Sequence, residues 1–330
     1  MLATPSDIKG LLRAMAATVL LTALTGHATA AGYPDKPIVL IVPYGSGGGV
    51  DIVARAMAAG LSRQLKQSVI VQNRPGAGGT IGAAYVARAN PDGYTVLVAD
   101  VSALAISPTL YANPGYKTNQ TFAPLSQIAT SALDVAVHPA LPVRDIQELI
   151  AYARAHPGKL SYSSPGNGTI PHLASVLFET MTGTSMMHVP YKSGAEAVTA
   201  LLGGQVQLSF AQVPLTVSLA ANGRVRVLGV SSKQPSSLLP GVPPINQAGV
   251  PGYEVTSWVA AMVPAGTPPA VQDMLYRATL AALKDDETRS ALTGAGFDIV
   301  GNSPSALRAV IDSETDKWAK VIHGAGIAAQ

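Results

Sequence analysis

The chain has 330 residues, 48% of them hydrophobic and 12% charged, which excludes a solvated, disordered polymer and allows one large domain or two ordinary ones. The formal net charge is only +3, no run of five basic residues occurs, and aromatics make up 5%; nucleic acid is a poor partner for such a chain. Cysteine is absent, so thiolate catalysis, zinc thiolate sites and Fe–S clusters are excluded, and a chain of this size has surface enough to bury without disulfides.

Residues 1–30 read as a secretory signal. Lys9 and Arg13 flank the start of an apolar run, and Ala28 and Ala30 place small residues where a signal peptidase reads, so cleavage is expected after Ala30. The run falls short of the ~20 residues needed to span a bilayer, which makes a retained anchor the weaker reading. A soluble, periplasmic mature chain is expected.

From Tyr33 onward, short apolar runs alternate with helical periodicities, the pattern of an α/β protein with mostly parallel sheets. Ile38 to Val42 is a buried strand by length and β-branching; Ile52, Val53, Ala56, Met57, Leu61 and Leu65 then recur at helical spacing. Ser68 to Gln72 and Tyr94 to Asp100 are the next strands, with a helix through Ile81, Tyr85 and Val86 between them. A second series starts with the strand Asp134 to Pro139. Lys159 to Ser164 leads into a helix at Pro171 to Met181, and Ser193 with Glu196 forms a capping box for the helix after "SMMHVPYKSG". "VQLSFAQ" and "VRVLGVSS" are further strands, "PPINQAGVPGYEV" reads as a Pro/Gly-rich surface connection, and "SWVAAMVPAGTPPA" as strand, turn and helix start. The last helix takes Ser303 as N-cap and Pro304 at N1, stops at Gly324, and turns Trp318 into the core.

Two glycine-rich loops follow the first two strands: "VPYGSGGGVD" (Val42 to Asp51) and "NRPGAGGTIG" (Asn73 to Gly82). Parallel strands deliver such loops to one sheet edge, where helix N-termini near Asp51 and Thr80 form an anion site from backbone N–H groups. Neither loop is followed by Lys, so no P-loop is present, and the acidic residue expected of a dinucleotide fold is missing apart from Asp100. A carboxylate is the ligand that suits these loops; tight turns alone are the alternative. Candidate ligand contacts in the first loop are Tyr44, Ser46, Gly47, Gly48, Val50 and Asp51, the last read as a helix N-terminal residue rather than a general base. The second loop offers Ala77, Gly78, Gly79 and Thr80.

A third loop, "YSSPGNGTIPH", adds Ser163, Ser164, Asn167, Gly168 and Thr169 as a donor-rich wall across a cleft. Thr169 reads equally as a helix cap and Asn167 as a turn former. His172 reads either as a cleft residue or as a satisfied helix histidine, and Gln212, at the end of "VQLSFAQ", completes the set. The histidines of the mature chain are scattered singly with no H-x-x-x-H or H-E-x-x-H pair, so no metal or cofactor is expected. An exported hydrolase using Ser46 or Ser163 is the alternative from another class, but neither serine has a positioned base in the sequence.

In combination, "YPDKPI", "VPYGSGGGVDIVAR", "NRPGAGGTIGAAYVA", "DGYT", "GNGTIPHLASVLF", "VPYKSGAEAVTALLGGQVQ", "RVRVLGVSS", "AGVPGYEV", "VPAGTP" and "SETDKWAKVI" resemble the periplasmic solute receptors of tripartite tricarboxylate transporters, the Bug family. The resemblance runs through essentially the whole mature chain. It implies a two-lobed, type II periplasmic-binding-protein fold with the ligand cleft between lobes: residues 31–132 and 255–330 in lobe I, residues 133–254 in lobe II. It also implies a non-catalytic, monomeric receptor that holds a small organic carboxylate through main-chain N–H groups, partly by bridging waters, and delivers it to a membrane permease; a sensory module with the same fold is the variant reading. The family's first loop commonly reads P-[FY]-x-P-G-G-x-[ST]-D, whereas Ser46 stands here at the proline and Val50 at the hydroxyl position. That departure predicts a ligand with an apolar portion near Val50, such as an aromatic or aliphatic acid, rather than a small polyhydroxy acid.

Overall fold

The computed structural model of the chain describes residues 32–324 and 327; the secretory signal and its cleavage point lie outside the described residues. The apolar runs form the strands expected of them. β1 (Ile38–Val42) pairs in parallel with β2 (Val69–Asn73) and β3 (Thr95–Asp100). Helix α1 (Gly49–Leu65) joins β1 to β2 and α2 (Thr80–Ala87) joins β2 to β3. Val53, Ala54, Met57 and Leu61 of α1 are buried, as their spacing requires of a helix laid on a sheet. After β3, a π-helical turn (Ser102–Ile106) runs into α3 (Ser107–Leu110), and the short α4 (Thr118–Thr121) precedes β4.

β4 (Phe122–Val137) is the strand on which the architecture turns. Its first part, through Ala132, pairs antiparallel with β9 (Thr256–Pro264), and from Leu133 onward it pairs antiparallel with β7 (Leu208–Gln212) and β8 (Arg226–Val230). The sequence reading recognised only the end of this strand. Its first part carries Ser126, Gln127 and Ser131, all buried, and has register shifts after Pro124 and Gln127, so it shows neither a continuous apolar run nor clean alternation.

A second parallel triplet consists of β6 (Met187–Pro190), β5 (Ser161–Ser164) and β7. Its helices are α5 (Ile146–Ala155), α6 (Ile170–Thr182), α7 (Gly194–Leu202) and α8 (Val213–Ala221). The chain returns to the first group through β9 and ends in α9 (Pro269–Lys284), α10 (Asp286–Gly294), the two-residue β10 (Asp298–Ile299) against β4, and α11 (Pro304–Gly324). The strand order is β2-β1-β3-β9-β4-β7-β5-β6. Among the named strands of the described residues the parallel ladders lie in the two triplets, and β4 and β9, which join them, run antiparallel to their partners, so the curled sheet is mixed rather than mostly parallel.

Local signals hold at the helix starts. Ser303 Oγ accepts from Ala306 N at 3.2 Å, and Ser193 Oγ accepts from Glu196 N at the same distance. The second half of that capping box differs from expectation: Glu196 reaches the N–H of Lys192, not that of Ser193. Trp318 is fully buried, with its indole N–H donating to Glu314 at 2.8 Å. The segment read as a surface connection is instead a core element. Ile245, Val250, Tyr253 and Val255 are buried, and Ile245 N donates to Val230 O at 2.8 Å, so it lies along β8.

Asp134 sits on β4 just beyond the change of partners, with no exposure; Thr216 Oγ1 donates to its Oδ2, and its Oδ1 has no partner among the described residues. Burial pushes this carboxyl up to about 7. The folded state therefore holds a proton that the unfolded chain releases near pH 4, so the group costs stability progressively as pH rises to about 7 and by a constant amount above. Asp134→Asn removes that dependence. Melting temperatures across pH 5 to 8 are expected to show the variant gaining on the parent as pH rises; a gap independent of pH would contradict the assignment.

Candidate functional site

The first glycine loop is organised by Asp51, whose side chain is 3% exposed. It accepts from Gly47 N at 2.9 Å, Asn73 Nδ2 at 2.8 Å, and Arg55 Nε and Nη2 at 2.8 and 3.1 Å. Burial pushes the Asp51 carboxyl up, but these bonds outweigh it and hold it below the usual carboxylate range. Asp51 is thus an internal anion that fixes the loop, as its helix N-terminal position implies. Gly47 N–H is consumed in the process, and Ser46 and Gly47 lie exposed, lining neither cavity described below. What the loop leaves open is the start of α1, where the N–H groups of Gly49 and Val50 have no intrahelical acceptor.

Several donors of the second and third loops are already taken within the protein. Gly79 N donates to Gly76 O, and both Thr80 N and Thr80 Oγ1 go to Ala77 O. The N–H groups of Gly79 and Thr80 are therefore taken by a 3₁₀ turn at the start of α2. Ser163 Oγ donates to Ala197 O, Thr169 Oγ1 to Gly166 O, and Gly168 N to His172 Nδ1. Thr169 takes the N-cap position of α6 without a side-chain capping bond, its hydroxyl being given to Gly166 O, and Ser102 Oγ accepts from Ile170 N at 2.8 Å. These serines and threonines look free in sequence; their acceptors are mostly backbone carbonyls nearby.

What the structure brings together is the start of α1 and the start of α7. A Cβ built on Gly48 would lie 3.6 Å from Gly194 N, and Gly45 N donates to Lys192 O at 3.3 Å. A Cβ on Gly49 would displace the Gln212 side-chain amide, which is buried and donates to Ser257 Oγ at 2.8 Å. Between these helix starts lies an inner chamber of about 30 Å³, lined by Tyr44, Gly48, Gly49, Val50, Asp100, Pro165, Thr169, Pro171, Gly194 and Gln212. Two helix N-termini beside one small space can hold an anion without any cationic side chain. Sequence reasoning missed Gly194, although the Ser193 cap announced a helix start directly after a strand.

An outer cleft of about 450 Å³ shares Tyr44 and Pro165 with the chamber. Pro75 to Gly79 and Tyr111 line one wall, and Gly166, Asn167 and Pro190 to Lys192 the other. Tyr111 Oη donates to Asn167 O at 3.3 Å across it. Lys192 is the only charged residue in that lining, is exposed, and has no ion-pair partner among the described residues.

Asp100, at the end of β3, was set aside in the sequence as a failed dinucleotide signal. It is 5% exposed and forms part of the chamber wall. Burial pushes its carboxyl above the usual range against the pull of bonds from Tyr44 and Ser102. His172 and His188 stack at 4.2 Å beside Tyr162, and burial lowers them to about 4 and 3 respectively, so both rings are neutral at pH 7. Ser164 Oγ lies 2.6 Å from His188 Nε2 but is completely buried and lines neither cavity, so this pair braces the third loop.

Residues 53–327 match the family described as the tripartite tricarboxylate transporter family receptor. The chain belongs to that family. Among solved structures, this receptor is similar to the periplasmic binding protein BugD, with 33% identity and a TM-score of 0.87 over 90% of this chain and 100% of that one. A protein of R. palustris solved with adipate shares 36% identity and a TM-score of 0.86, covering 90% of this receptor and 99% of its relative. MatC of Rhodopseudomonas palustris, solved with malate, shares 27% identity and a TM-score of 0.85, over 88% and 100%. The type II periplasmic-binding-protein fold and the periplasmic, non-catalytic character expected from the sequence follow from this membership.

Proposed function

We propose that this receptor captures a small organic carboxylate between its two strand groups and hands it, as a monomer, to a membrane permease. The reading rests chiefly on one observation: the starts of α1 and α7 line the same inner chamber, where the N–H groups of Gly49, Val50 and Gly194, which have no intrahelical acceptor, can meet an anion. The chamber holds about two waters or one carboxylate head as it stands, so the rest of the ligand belongs in the outer cleft, where Lys192 suits a second acidic group. The two lobes are residues 31–132 with 255–330 and residues 133–254, hinged where β4 and the segment before β9 cross. Closure needs only that the ligand contact both lobes better when shut than when open.

Val50, 4% exposed, stands with Pro165 and Pro171 in the chamber wall and favours an acid with an apolar body. The adipate held by the relative at 36% identity supports that preference, whereas the malate of MatC shows that smaller hydroxy acids enter the fold. A thermal-shift screen followed by calorimetry tests the reading, since bound ligand raises stability by mass action. Aliphatic and aromatic acids are expected to stabilise the protein more than malate or citrate, at one ligand per chain. The reverse ranking would contradict the role given to Val50, and no stabilisation by any carboxylate would contradict the function.

A further inference from the structure

We infer that Asp100 makes this receptor selective for acids that carry a protonated amine close to the carboxylate, the amine donating to Asp100 Oδ2. The inference rests on the carboxylate reading above and adds a second, cationic feature to the ligand. Asp100 lines the same chamber as the start of α1. Its Oδ1 accepts from Tyr44 Oη at 2.5 Å and Ser102 N at 3.1 Å, with Ala103 N at 3.4 Å, whereas Oδ2 accepts only from Ser102 Oγ at 2.9 Å. A carboxylate offers about four lone-pair positions, so one on Oδ2 remains to be filled.

Ser102 cannot fill it. Its hydroxyl hydrogen already goes to Asp100, and its oxygen accepts from Ile170 N. No Lys, Arg or His lines the chamber, so the charge of Asp100 is met there by neutral dipoles alone. A simple carboxylate seated on the α1 N-terminus would place a second negative charge in a space of about 30 Å³, which like-charge repulsion opposes. A zwitterion satisfies both walls, with its carboxylate on the N–H groups of Gly49 and Val50 and its ammonium on Asp100. Capping the helical segment after β3 does not by itself explain an aspartate, because an asparagine or serine oxygen meets the N–H groups of Ser102 and Ala103 equally well.

Calorimetry with matched pairs tests this: 2-aminoadipate against adipate, and phenylalanine against 3-phenylpropanoate, on the full mature chain and on Asp100→Asn, which keeps the capping oxygen. The parent protein is expected to bind the amino member of a pair about 10-fold or more tightly, the scale of a charge-assisted hydrogen bond, and Asp100→Asn to lose or invert that preference. Equal or tighter binding of the acids lacking the amine, or a preference that survives in Asp100→Asn, would overturn the inference while leaving the carboxylate reading intact. Should Asp100→Asn fail to fold, the ranking on the parent protein decides alone. Binding of neither member of any pair by folded parent protein would overturn both.

Discussion

Gly78→Val is expected to lower ligand affinity by about 100-fold or more while the protein still melts cooperatively. Gly78 has φ 60° and ψ 20°, a left-handed conformation that costs a non-glycine residue roughly 1–2 kcal/mol and a β-branched one at least that. The larger effect is steric. A Cβ there would lie 2.8 Å from Asn167 O and 3.1 Å from Tyr111 Oη. The first of these is a main-chain atom of the opposite wall, so the two loops must separate and the cleft is held ajar. A receptor whose shut state is rarely populated loses apparent affinity in proportion to that population. Calorimetry for affinity and small-angle scattering for compactness check the result together. Unchanged affinity in a well-folded Gly78→Val protein would show that contact between the second and third loops plays no part in binding.

Asp51→Ala is the second large effect, and it acts through stability as well as binding. Its carboxylate gathers Gly47 N, Asn73 Nδ2 and Arg55 at one buried point. Arg55 is half exposed and returns to water when released, so the loss comes mainly from the stranded Gly47 and Asn73 donors and amounts to roughly 2–4 kcal/mol. With the loop unpinned, the start of α1 is no longer presented to the chamber, and affinity is expected to fall at least about 10-fold. Asp51→Asn, which retains an acceptor, should lose less of both. Because the folded-state value of Asp51 lies below its unfolded value, its contribution is fully present at neutral pH and is lost as pH falls through the folded value. Chemical denaturation at pH 7 and pH 3.5 checks this, the gap between Asp51→Ala and the parent narrowing at the lower pH.

The residues that could be read in advance were those whose own pattern determines their state. β1, β2 and β3 are short runs rich in β-branched residues, and α11 carries cap, Pro and apolar stripe in their expected places. Where several long-range partners share the burial, the pattern failed. The first part of β4 hides buried serines and a glutamine, and the Pro/Gly-rich segment before β9 buries Ile245 and Tyr253. At the site, four of the residues singled out from the sequence, Tyr44, Gly48, Val50 and Gln212, line the chamber. Three-dimensional neighbours decided the rest. Whether Thr80, Ser163 or Thr169 has a hydroxyl to spare depends on carbonyls such as Ala77 O, Ala197 O and Gly166 O, which carry no side-chain signature. Gly194 lines the chamber because α7 starts beside α1, and Asp100 because β3 ends beside Tyr44.

The most direct measurement is a titration of isotopically labelled protein with 2-aminoadipate and adipate, following backbone amide resonances. Under main-chain capture in the inner chamber, the amides of Gly49, Val50 and Gly194 are expected to shift most and saturate together at one ligand per chain, while those of Gly79 and Thr80, already bonded within their turn, move little. Saturating shifts centred on Gly79 and Thr80, with Gly49 and Val50 unmoved, would contradict it.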